Sequence, residues 1–108
     1  MDRFLVRSHR RSPVCYSVTF RSTDGLIKGK GLVVEMSASG VMILGEGPAV
    51  ETFLQLEILD KKCGSSIRIE RAKVQWVRDG VFGAKIKQAD PHELLHWNQR
   101  IKTLATTR

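Results

Sequence analysis

The stretch "AKVQWVRDGVFGAKI", residues 72–86, decides how this chain folds. Ala72, Val74 and Trp76 alternate with polar residues, and Phe82, Ala84 and Ile86 do so again, the period of two that marks half-buried strands. Between them stands Asp79-Gly80, a pair that accepts the positive φ values of a two-residue hairpin loop. Two long antiparallel neighbours follow from these fifteen residues.

Working towards the N-terminus, Ile67–Val77 reads as one long strand whose apolar set changes phase between Ile69 and Ala72, which places a bulge near Glu70–Arg71. "DKKCGSS" is a turn, and before it Leu54, Leu56 and Ile58 alternate with Gln55 and Glu57 in a fourth strand. "VMIL" (41–44) is a short third strand. A second runs from about Leu26 to Val34, with Gly29 and Gly31 indicating a bend or bulge. Val14, Tyr16, Val18 and Phe20 form the first.

Towards the C-terminus, "DPHELLHWNQRIKTL" (90–104) has a helical pattern. Asp90 is the expected N-cap, Pro91 the first helical residue and Glu93 the second half of a capping box. Leu94, Trp97, Ile101 and Leu104 then share one face, which docks the helix on the sheet. Six short strands with dense turn signals and one terminal helix make a mainly β chain: a small antiparallel six-stranded β-barrel with one C-terminal α-helix.

The 108 residues, 42% of them hydrophobic, suffice for one core, so residues 1–108 are expected to form a single domain. Eighteen basic against eleven acidic residues give a charge of +7, which favours anionic partners. Residues 1–31 contain seven bases and two acids, whereas 46–60 contain four acids and no base. The apolar run of a signal peptide and the length of a membrane span are both missing, and Cys15 and Cys63 are expected to be reduced; a cytoplasmic protein is the expectation.

Three motifs compete for a function. "HELLH" (92–96) has the spacing of two histidines and a glutamate at a catalytic zinc, but no His, Asp, Glu or Cys follows His96 to supply a third ligand, so a capped helix with two partly exposed histidines is the better reading. "GKG" (29–31) lacks the third glycine and the helix of a phosphate cradle. A basic β-barrel is also a scaffold for nucleic acid, yet the seven aromatics are scattered and fall mostly on core faces rather than forming a stacking platform, which makes nucleic acid unlikely.

The third motif is "RSHRR" (7–11), followed after strand two by "EMSASG" (35–40). Arg7-x-x-x-Arg11, Glu35-x-Ser37-x-x-Gly40, and Val74-x-Trp76 with Gly83 after the hairpin together resemble the PilZ domain over about residues 5–104. The resemblance implies a six-stranded barrel that binds the bacterial second messenger cyclic di-GMP and relays the signal to an unidentified protein effector in motility, polysaccharide or biofilm control, without catalysis and without a metal. It implies that Arg7 and Arg11, on a flexible segment covering residues 1–11, grip phosphate and the O6/N7 edge of guanine, with Arg10 as a third contact. Ser37 is the small hydroxyl of the site, Gly40 permits a positive φ or a close approach, and Glu35 accepts guanine donors. The pattern has Asp or Asn where this chain has Glu35. A degenerate PilZ module that acts through protein contacts alone is the alternative reading of that departure.

Overall fold

Asp79 and Gly80 both adopt positive φ, 52° and 79°, the tight hairpin loop that an Asp-Gly pair favours. In the computed structural model, which describes residues 16–60 and 64–106, this loop joins β5 (Ser65–Arg78) to β6 (Val81–Gln88). The other strands are β1 (Tyr16–Ser22), β2 (Lys28–Met36), β3 (Gly40–Leu44) and β4 (Phe53–Asp60), and helix α1 (Pro91–Thr106) follows β6. All neighbours are antiparallel, in the order β1-β2-β3-β6-β5-β4, and β1 pairs with β4 to close the barrel. Closure leaves no unpaired sheet edge.

Alternation sends one set of side chains inward. Val18, Phe20, Ile43, Leu54, Leu56, Ile69, Val74 and Phe82 are each at most 2% exposed, and the Phe20 and Phe82 rings meet edge to face at 5.3 Å. Such T-shaped contacts are a favoured aromatic geometry. The expected irregularity in β5 is present: Leu54 pairs with Ala72 but Leu56 with Ile69, so Glu70 and Arg71 together oppose Gln55. This extra residue is what changes the phase of the apolar set.

Two expectations are corrected. Gly29 and Gly31 pair regularly with Phe20 and Val18; the register shift of β2 lies between Val33 and Glu35. The glycines serve close packing instead, since a Cβ at Gly29 would meet the Phe20 ring at 2.5 Å and one at Gly31 the Leu44 carbonyl oxygen. Glu93 does not complete a capping box. Asp90 caps α1, its Oδ1 accepting from His92 N at 2.8 Å, but Glu93 Oε1 accepts from Arg68 N of β5 at 2.7 Å and ties the helix start to the barrel. The helix runs two residues beyond the expected end, to Thr106. It docks through Trp97, fully buried, with Ile101 packed against the core.

Candidate functional site

The "EMSASG" stretch becomes the connection between β2 and β3. Met36 pairs with Val41, and Ser37 and Gly40 exchange backbone hydrogen bonds (Ser37 N to Gly40 O, 2.9 Å; Gly40 N to Ser37 O, 3.4 Å), which leaves Ala38 and Ser39 exposed at the loop tip. Glu35 therefore belongs to β2 and not to the turn. The β2 bulge lets Val33 and Met36 both point into the core although they are three residues apart, and Glu35, opposite Met42, faces outward and is half-buried.

Two contacts hold the hairpin. Trp97 Nε1 of α1 donates to the Ser37 carbonyl at 2.7 Å, and Ile86 N of β6 donates to the Ser39 carbonyl at 2.8 Å. The Ser37 hydroxyl is half-buried and turned towards the Gly40 carbonyl, 3.4 Å away. Gly40 is required for close approach and not for a positive φ: a Cβ there would stand 2.7 Å from the Ala84 carbonyl oxygen.

On the outer face beside Glu35, Met42 is only 3% exposed although it is not part of the barrel core. It pairs with Gly83, and the Trp76 indole lies directly over Gly83, where a Cβ would come within 2.5 Å of Cε2. The outer row from Glu35 to Met42 to Gly83 and Trp76 is thus an apolar shelf with a carboxylate at one end. Lys85 is exposed and pairs with Gly40, so a cation flanks the hairpin. Neither Met42 nor Lys85 was legible as a site residue, because "VMIL" reads as uniform core and a lysine on a strand reads as solvated.

Arg7, Arg10 and Arg11 lie outside the described residues. The strand they lead into begins at Tyr16, and the pairing of Ser17 with Leu32 sets that start beside Val33 and Glu35 of β2. Four residues, Ser12 to Cys15, separate Arg11 from Tyr16, so five chain steps (16 minus 11) tether them over at most roughly 18 Å when fully extended.

His92 and His96 are exposed on α1, and Glu93 is engaged by the Arg68 backbone. No described helix is long and apolar enough to cross a membrane.

No family model matches the sequence, and no curated protein matches it. Among solved structures the chain is similar to the PilZ domain of CeSA from a cellulose-synthesizing bacterium, with a TM-score of 0.69 and 18% sequence identity over 89% of this chain and 98% of that one. The chain has the fold of a PilZ domain: a closed six-stranded antiparallel barrel with a C-terminal helix.

Proposed function

We propose that this domain is a receptor for cyclic di-GMP, with Arg7, Arg10 and Arg11 gripping its phosphates and guanine edges and Glu35, Ser37 and Gly40 forming the opposing wall. The observation that carries this reading is the register of β1 on β2, which starts the strand after the arginines beside the outward-facing Glu35 and next to the Ser37 hairpin. The similarity of fold to a PilZ domain supports it. The ligand meets the domain through charge-assisted hydrogen bonds, the kind suited to a dianionic nucleotide. The half-buried Trp76 ring, at the end of the outer row away from Glu35, offers a guanine ring a surface on the same side. Binding is then relayed to a protein effector, and the domain acts as a sensor rather than a catalyst.

Calorimetric titration with cyclic di-GMP, with GTP and short single-stranded DNA as competitors, tests the reading. Arg7→Ala and Arg11→Ala are each expected to lose roughly 1.5–3 kcal/mol of binding, about a tenfold to hundredfold drop in affinity, with the fold intact. Parent-like affinity in both variants overturns the site. Glu35, where the PilZ pattern has Asp or Asn, favours a second reading, an interaction module that has lost the ligand. Absence of binding in the parent and in Glu35→Asp alike would establish that reading instead.

A further inference from the structure

The outer face of β1, β2, β4 and β5 carries a groove of about 650 Å³ that the cyclic di-GMP reading does not use. It lies towards the end of the barrel remote from the Ser37 hairpin, where β1 ends and β2 begins. Registers put Lys30, Thr19, Glu57 and Arg68 in one row across four strands, and Lys28, Arg21 and Gln55 in the next. Among the described residues, four cations therefore line the groove with one carboxylate. Arg21 is held in place, its Nη2 donating to Gln55 Oε1 at 3.0 Å. Among the described residues, the side chains of Lys28, Lys30 and Arg68 enter no ion pair.

The next outward row, on the hairpin side, is apolar. Leu44, Leu32 and Leu59 stand in line across β3, β2 and β4, with Ser17 of β1 between the last two, and they are 47%, 52% and 38% exposed. A cationic groove bordered by a row of exposed leucines is amphipathic, and exposed apolar surface rimmed by charged residues marks an interaction site.

We propose that this face docks a segment of a partner protein in which carboxylates alternate with leucine-like side chains. Charge complementarity assigns the carboxylates to Arg21, Lys28, Lys30 and Arg68, and the leucine row takes the apolar residues. Single-stranded nucleic acid would satisfy the charge but not the rest: among the described residues the only aromatic ring lining the groove, Phe20, is 2% exposed and turned into the core, so no base can stack on it. Glu57 sits in the middle of the groove, opposite Arg68, and moderates the attraction. The surface stands whether or not cyclic di-GMP binds at the other end.

Fluorescence anisotropy without cyclic di-GMP tests it, using three labelled probes of equal length: a synthetic peptide alternating glutamate and leucine, the same peptide with serine for leucine, and oligo-dT. The glutamate-leucine peptide should bind more tightly than both others and weaken as salt is raised. Arg21→Glu and Lys30→Glu should each weaken it about tenfold, as an attraction becomes a repulsion. Leu32→Ser should weaken it several-fold and erase its advantage over the serine peptide, whereas Glu57→Gln should tighten it. All four positions are exposed, and circular dichroism checks that each variant stays folded. Tighter binding of oligo-dT, or charge reversals without effect on the peptide, overturns the proposal.

Discussion

Glu35 is the residue at which this chain departs from the PilZ pattern, and its setting in β2 sharpens what that departure means. A carboxylate one methylene longer than aspartate, half-buried beside a bulge, reaches further along the outer face. Glu35→Asp is expected to keep or tighten cyclic di-GMP binding, and Glu35→Ala to weaken it, because a guanine donor left unpaired costs about 1–3 kcal/mol. Calorimetry on the two variants decides, and an alanine variant that binds like the parent removes Glu35 from the site. Its strand position also means that Glu35→Ala is expected to shift the melting temperature, which a residue in a free turn would not do. Gly40 is different in kind. Gly40→Ala drives a methyl group towards the Ala84 carbonyl, so a loss of about 1–3 kcal/mol of stability is expected in denaturant titration even in the absence of ligand.

At the level of elements, the turn between β1 and β2 is built on Asp24. The Ser22 hydroxyl donates to Asp24 Oδ1 at 2.6 Å and Leu26 N donates to the same oxygen at 3.0 Å. The first of these bonds, then the second, holds the carboxyl below its usual value of 3.8. The folded form therefore resists protonation more than the unfolded chain does. The turn's contribution is complete above about pH 4 and is lost as the pH falls through the lowered value. Asp24→Asn, which cannot ionise, should give a flatter dependence of melting temperature on pH below about pH 4, and thermal melts across that range measure it. Such local constructions are what sequence reading sees best. The Asp79-Gly80 loop, the Glu70–Arg71 bulge and the Asp90 cap each depend on residues a few positions apart. Glu93 departs from its expected capping role because its partner, Arg68 N, is 25 residues away on β5.

For the whole molecule, closure through β1 and β4 makes one continuous core, and damage anywhere in it should be felt everywhere. Phe82→Ala, at a fully buried position against Phe20, is expected to cost about 3–5 kcal/mol. Urea unfolding followed by circular dichroism and by tryptophan fluorescence should give coincident curves, because Trp97 is sealed into the same core as the strands. Separate transitions would show that α1 detaches on its own. The sequence by itself determined the strands, the turns and the capped helix, because period-two alternation and turn chemistry are written in neighbouring residues; the candidate residues 35, 37 and 40 came from the resemblance of its motifs to the PilZ pattern. Only the tertiary structure decided that Glu35 shares an outer row with Met42, that Lys85 flanks Gly40, that Trp97 bonds the Ser37 carbonyl 60 positions away, and that Arg21, Lys28, Lys30 and Arg68 line one groove. Those neighbours are set by strand register, bulges and barrel closure, which arise from pairing between distant segments and leave no local pattern to read.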